Sequence, residues 1–192
     1  MRPPGPPFLL ILDRDGTVIE DKGYLSAPAG VELEPSAIEG LRAMVEVGAV
    51  PVVITNQSGV ARGYFSMAAV DAIHARLDDL LASQGLAIKA YLVCPHGPDD
   101  GCECRKPGAA LALRAAAETG LLLSEAYVIG DKLSDTGLAA AIGATGILVR
   151  TGEGHWHAGE ETRRGFAVAS DLAEAARLVI AARDARVGQS EN

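Results

Sequence analysis

Five short apolar runs punctuate the chain, at 8–12, 49–55, 91–94, 127–129 and 146–149. Each is shorter than a buried helix, and none alternates with polar residues. That pattern belongs to strands covered on both faces. Between the runs the apolar spacing changes to the helical period. In 36–47, Ile38, Leu41 and Val45 share a face, Ser36 with Glu39 reads as a capping box, and Gly48 closes the segment. In 66–84, Val70, Ile73, Leu77 and Leu80 form one stripe, with Gly85 beyond it. An Ala-rich helix is predicted over 108–119, ended by Gly120, and a last one over 171–182, with Asp171 and Glu174 at its start. Pro51 is expected at the first turn of its strand, where a missing N–H is tolerated. Buried strands alternating with amphipathic helices predict an α/β fold with a central parallel sheet. No insertion after Asp15, or between Thr55 and Lys106, is long enough to form a separate cap domain. The 192 residues are expected to form one domain with flexible ends at 1–7 and 184–192.

Composition narrows the partners. The formal net charge of −8 gives no general basic surface, so neither nucleic acid nor an anionic membrane is expected as a partner. The first apolar run stops after five residues, too short for a signal-peptide core or a membrane span. Three cysteines, an odd number, do not make a disulfide framework. These features predict a cytoplasmic protein, and no heptad or long apolar helix face demands a second copy, so a monomer is expected.

In open α/β sheets, ligands bind beyond the carboxyl ends of the strands. The segments there are 13–17 (DRDGT), 55–58 (TNQS), 94–96 (CPH) and 130–132 (GDK). Asp13 and Asp15 alternate, so both side chains can leave the strand end on one side. Asp131 follows another strand, with Asp135 four residues on. Acids converging at one edge repel each other, and a hard divalent cation such as magnesium relieves that repulsion. One carboxylate can then attack phosphorus while a second handles the leaving-group proton. Thr55 can donate to a phosphate oxygen, and Lys106 or Lys132 can neutralise growing charge. Asp, Thr and Gly are also ordinary turn residues where strands end. Ordinary turns do not account for Thr55, Lys106 and Gly130-Asp131 each falling in order after its own element.

With 8–17 (FLLILDRDGT), 54–58 (ITNQS), 105–107 (RKP) and 130–135 (GDKLSD), the chain resembles the haloacid dehalogenase-like phosphohydrolases in all four of their ordered motifs. The resemblance implies a Rossmann-like three-layer sandwich, with Asp13 as nucleophile and Asp15 as acid/base. It implies magnesium on Asp13, the backbone carbonyl of Asp15, and Asp131, with Thr55 and Lys106 on the phosphate. Within this superfamily the stretches DKGYL, TNQSGVARGYF, CPH…CECRKP and ILVRTG resemble the heptose-bisphosphate phosphatases most closely. That implies a small sugar bisphosphate contacted by Asp21, Gly23, Tyr24, Asn56, Gln57, Ser58, Arg105 and Lys132. Arg62, in the loop at 60–64, is a further candidate for gripping a second phosphate. The histidinol-phosphate phosphatases are near relatives, and the short spacing inside the cysteine cluster fits them.

That cluster is Cys94, His96, Cys102 and Cys104, a C-x-H-x5-C-x-C pattern using every cysteine in the chain. Three thiolates and an imidazole form a tetrahedral zinc set, and four protein ligands make it structural. It immediately precedes Arg105 and Lys106, so closing it would hold those cations over the phosphate. His74 reads as a helix-face residue, the His155-Trp156-His157 stretch as a surface loop, and Arg163-Arg164 as a solvated turn. Two other classes compete. A phospho-acceptor domain would lack a second acid such as Asp15, and a zinc-organised binding module would leave Asp13, Asp15, Thr55 and Asp131 without a purpose.

Overall fold

The computed structural model describes residues 5–190. Six parallel strands form one sheet in the order β3-β2-β1-β4-β5-β6. They are β1 (Phe8–Leu12), β2 (Ala49–Asn56), β3 (Ala90–Cys94), β4 (Tyr127–Gly130), β5 (Thr145–Val149) and β6 (Ala167–Ala169). The helices are α1 (Ala37–Glu46), α2 (Ser58–Ala61), α3 (Met67–Ala82), α4 (Ala110–Thr119), α5 (Leu133–Ile142), α6 (Gly154–Arg163) and α7 (Leu172–Ser190). Alternate residues of the central strands feed two cores. Phe8, Leu10, Leu12, Val53, Tyr127 and Ile129 pack with α1, α3 and α7. Leu9, Ile11, Val52, Ile54 and Val128 pack with α4 and α5. The result is the three-layer arrangement expected from unbroken apolar strands, and the period-two split explains why those runs could not alternate with polar residues. Among the described residues no helix is long and apolar enough to cross a membrane.

Several details depart from expectation. Ser36 does not close a capping box with Glu39; its Oγ accepts from Leu172 N at 3.1 Å and ties α1 to the start of α7. The buried face of α1 carries Gly40, Leu41 and Met44, while Val45 is exposed, because α7 lies closely along that side. On α3, Leu81 replaces Leu80 as the buried position. Pro51 is the third residue of β2, paired with Leu10 of β1. It is tolerated because its carbonyl side faces β3, whose register begins only at Val52. The His155-Trp156-His157 stretch and Arg163 belong to α6, not to a loop and turn, and α5 and β6 carried too little periodicity to be seen. Of the ends expected to be flexible, residues 1–4 and 191–192 lie outside the described residues. Arg183 donates to Pro6 O at 2.6 Å, and α7 runs on to Ser190.

Gly40 marks where α1 and α7 touch. A Cβ there would lie 2.5 Å from Leu172 O and 2.6 Å from its carbonyl carbon, against backbone that cannot swing away. Gly40→Ala is expected to destabilise the fold by about 1–3 kcal/mol, despite alanine's better helix propensity. A urea unfolding midpoint equal to wild type would show that the two helices move apart freely.

Candidate active site

The strand order reverses on either side of β1, with β2 and β3 to one side and β4 to β6 to the other. This switch point leaves a crevice between the carboxyl ends of β1 and β4, and Asp13 and Asp131 are the first residues past those ends. Carboxylate oxygens of Asp13, Asp131 and Asp135 lie within 4.8 Å of one another, all buried. Two lysines enter the cluster. Lys106 Nζ sits 2.9 Å from Asp13 Oδ1 and 2.7 Å from Asp135 Oδ1, and donates to Ile54 O at 2.6 Å. Lys132 Nζ lies 3.1 Å from Asp131, 3.1 Å from Asp21 and 4.0 Å from Asp13.

The charges settle unevenly. Burial raises the pKa of Asp13, but Lys106 and Lys132 outweigh it and hold the carboxyl below its ordinary value, ready as an anion. Burial and the Asp13 charge push Asp131 up to about 7, with Lys132 only partly opposing them. Asp135 is also raised by burial, against the pull of Lys106. Its oxygens are already engaged, Oδ1 by Lys106 and Oδ2 by Lys132 N at 3.0 Å, so it acts as a strut at the start of α5. Three carboxylates against two ammonium groups leave an excess of buried negative charge. That excess, with oxygen donors only, fits a hard divalent cation on Asp13 and Asp131. Two glycines make room for Asp131. A Cβ on Gly16 would come within 2.4 Å of Asp131 Oδ2, and one on Gly152 within 2.2 Å, and both have positive φ.

Above these groups opens a pocket of about 340 Å³. Thr55 lies at its floor, its Oγ1 accepting from Gln57 Nε2 at 2.8 Å. The same Gln57 amide donates to Asp15 Oδ2 at 2.8 Å, so Gln57 links the two. Asn56 holds the backbone of Lys106 from both sides. Its Oδ1 accepts from Lys106 N at 3.0 Å and its Nδ2 donates to Lys106 O at 3.3 Å. Asp21, Gly23, Tyr24, Ser58, Arg105 and Lys132 line the walls.

Beside the pocket, four donor atoms from Cys94, His96, Cys102 and Cys104 converge within 4.8 Å. Cys104 Sγ stands 3.1 Å from Cys94 Sγ, 3.5 Å from Cys102 Sγ and 3.1 Å from His96 Nδ1, and Cys94 Sγ is 3.6 Å from Cys102 Sγ. Thiolates at a tetrahedral zinc stand about 3.8 Å apart, from a bond length of about 2.3 Å, so the donor set is already close to that size. Arg105 Nη1 donates to His96 O at 3.2 Å, which anchors the arginine to the cluster.

A HAD-hydrolase-like family model matches residues 103–175. The D-glycero-beta-D-manno-heptose-1,7-bisphosphate 7-phosphatase of Pseudomonas aeruginosa is 38% identical over 173 residues, covering 90% of this chain and 97% of that one. Its counterpart of the same name in Pseudomonas putida is 39% identical over 174 residues, covering 90% and 99%. The chain is a haloacid dehalogenase-like phosphatase. A solved structure described as D,D-heptose 1,7-bisphosphate phosphatase from B. bronchiseptica complexed with magnesium and phosphate superposes on it with a TM-score of 0.83. That pair shares 35% identity, over 90% of this phosphatase and 98% of the other chain.

Most of the residues singled out in the sequence come together in the phosphatase pocket. Asp131 stands behind its wall, and Arg62 does not line it: its side chain is exposed at the end of α2. Arg62 closes the helical turn that begins at Ser58, a turn that loop-like spacing could not show. Gly59, Ser134 and Glu153 line the pocket without having been foreseen. Ser134 had a usable signal, lying two residues after Lys132 at the start of α5. Glu153 had none, since it reaches the site only because β5 ends next to β4. Asp15 and Arg14 form a third surprise: Arg14 is 1% exposed and turned inward onto Asp15.

Proposed function

We propose that this phosphatase removes the 7-phosphate of D-glycero-β-D-manno-heptose 1,7-bisphosphate through an aspartyl-phosphate on Asp13, with magnesium bound by Asp13, the Asp15 carbonyl and Asp131. The carrying observation is end-to-end similarity to phosphatases named for that substrate, with 97–99% of their length matched. The pocket suits a doubly phosphorylated sugar: Asp13, Thr55 and Lys106 surround one phosphate position, and Arg105 and Lys132 stand on the walls for the other. Magnesium, when bound, screens the phosphoryl charge from the attacking carboxylate.

The chain's own groups do the rest. An Asp13 oxygen forms a bond to phosphorus as the bond from phosphorus to the C7 oxygen breaks. Asp15 gives its proton to that leaving oxygen. Lys106 neutralises charge on the transferring group, and Thr55 donates to one of its oxygens. Asp15, now a carboxylate, takes a proton from the water that attacks the aspartyl-phosphate, releasing phosphate and restoring Asp13. Measured phosphate release from both anomers of the heptose bisphosphate, with histidinol phosphate alongside, tests the reading. Strong preference for the β anomer supports it. Preference for histidinol phosphate would overturn the substrate while leaving the chemistry standing.

The Cys94, His96, Cys102 and Cys104 cluster is proposed to hold one structural zinc, and the enzyme to act as a cytoplasmic monomer without nucleic-acid or membrane partners. Arg105 is tied to the cluster through His96 O, so stripping the zinc is expected to raise KM for the bisphosphate by about tenfold or more, with a smaller change in kcat. Cys104→Ser should lose the bound metal, read by elemental analysis. A metal-stripped enzyme, resupplied with magnesium alone and showing wild-type KM, would refute the coupling.

A further inference from the structure

Asp15 does not stand alone in its pocket. Arg14 Nε donates to Asp15 Oδ2 and Arg14 Nη2 to Asp15 Oδ1, each at 3.0 Å. Gln57 supplies a second donor to Oδ2. A carboxylate has about four acceptor positions, so with three filled the open one is on Oδ1. Proton transfer to a leaving group therefore depends on how Arg14 turns the carboxyl group.

Arg14 in turn is held from behind. Its remaining amino group, Nη1, lies 3.3 Å from His74 Nε2. Guanidinium nitrogens only donate, so Nε2 accepts and the imidazole carries its single proton on Nδ1. Burial and the Arg14 charge hold the His74 pKa down to about 3, consistent with the same neutral form. The ring stacks on Tyr91 with centroids 4.2 Å apart and planes 12° from parallel. Tyr91 Oη donates to Asp78 at 2.7 Å, one helical turn along α3 from His74. The imidazole is thus gripped by α3 and β3 with its acceptor nitrogen aimed at Arg14.

We propose that His74 is a positioning residue for the proton-transfer step, fixing Arg14 so that Arg14 directs the open oxygen of Asp15 at the leaving group. This rests on the acid–base role given to Asp15 above. Its signature is dependence on the leaving group. A sugar alkoxide needs a proton to depart, whereas p-nitrophenolate is a stable anion and does not. The ratio kcat/KM covers the steps through formation of the aspartyl-phosphate, so it isolates that first proton transfer.

The experiment compares kcat/KM for heptose 1,7-bisphosphate and p-nitrophenyl phosphate in His74→Leu, His74→Gln, His74→Asn and Asp15→Asn. His74→Leu is expected to lose about tenfold or more on the sugar and to stay within about twofold on the aryl ester, a fraction of what general acid catalysis supplies. The Gln amide can reach the place of Nε2 and should recover most of that loss; Asn is too short and should not. Equal losses on both substrates would mark simple structural damage and overturn the proposal, as would an unchanged rate on the sugar. Should His74→Leu fail to fold, equal behaviour of the Gln and Asn variants would overturn it, and rescue by Gln alone would sustain it. Asp15→Asn separates the two levels. If it spares the sugar phosphate, the acid–base role of Asp15 fails. If it loses the sugar phosphate while His74→Leu keeps it, only the His74 inference fails.

Discussion

Asp13→Asn is expected to abolish turnover while leaving the protein folded. In the wild-type site Asp13 Oδ1 accepts from Lys106 Nζ at 2.9 Å and from Arg14 N at 2.8 Å. An asparagine oxygen in the same place can accept both bonds, so the local hydrogen bonding survives. The substitution also removes one of three buried carboxylates that face two lysines, which lessens the excess negative charge. Stability should therefore stay within about 1 kcal/mol of wild type. Catalysis has no such substitute, because a neutral amide cannot form the acyl-phosphate bond. A fall in kcat of about 10⁴-fold or more is expected, the scale seen when an enzyme loses its nucleophile. Phosphate release and urea unfolding measured together decide the matter. A folded variant retaining about a tenth of wild-type kcat would rule Asp13 out as the nucleophile.

Lys106→Met is expected to be the most damaging single change to stability. The lysine side chain is 2% exposed and stands between Asp13 and Asp135. Methionine keeps much of its length but leaves Asp135 without its cation and Asp13 with only Lys132, 4.0 Å away, and the Ile54 carbonyl loses its donor. Removing one partner of a buried ion pair costs about 3–5 kcal/mol. The penalty should depend on pH in a direction that follows from Asp13. In the wild type its pKa lies below the ordinary 3.8, despite burial, because of Lys106 and Lys132. A lowered carboxyl pKa contributes stability that is present at neutral pH and disappears as pH falls below that ordinary value. Without Lys106 the pKa values of Asp13 and Asp135 both rise, with only Lys132 left to oppose burial at Asp13. The wild type already gains some stability on acidification from pH 7, because the Asp131 pKa is pushed up to about 7, and the variant gains more. In metal-free buffer the gap between their urea midpoints should be widest at pH 7 and narrow towards pH 4.5. A gap that does not change with pH would place the lysine's contribution in packing rather than in charge.

Some of the active site was legible because chemistry and position coincide in short stretches. Asp13 and Asp131 follow strands directly, Thr55 is the last residue but one of β2, and a buried parallel strand reads as an unbroken apolar run. Finding the run therefore locates its carboxyl end and the residue beyond it. The cysteine cluster was legible for a similar reason, since its four donors fall within eleven residues, from Cys94 to Cys104. Helices were less well determined. Alanine-rich α5 has little contrast between faces, α6 is mostly polar and glycine-containing, and the inward side of α1 was chosen by α7, which joins it from the far end of the chain.

The roles of Arg14 and His74 were not legible at all, and Gln57 and Asn56 were legible as pocket residues but not as partners of Asp15 and Lys106. His74 lies sixty residues from Arg14, and its place on α3 suggests only a helix face. Nothing local says that Tyr91 of β3 will press its ring against it. Asn56 and Lys106 are likewise fifty positions apart, joined because β2 ends beside the loop that leaves the cysteine cluster. Sequence alone pointed to the candidate reacting groups, to the candidate metal ligands and to the parallel sheet, because each depends on residue type within a few positions. Tertiary structure decided the orientation of those groups, the exclusion of Arg62 and the buried hydrogen bonds behind Asp15. Such contacts depend on which distant segments the sheet order brings together, and no local spacing encodes that.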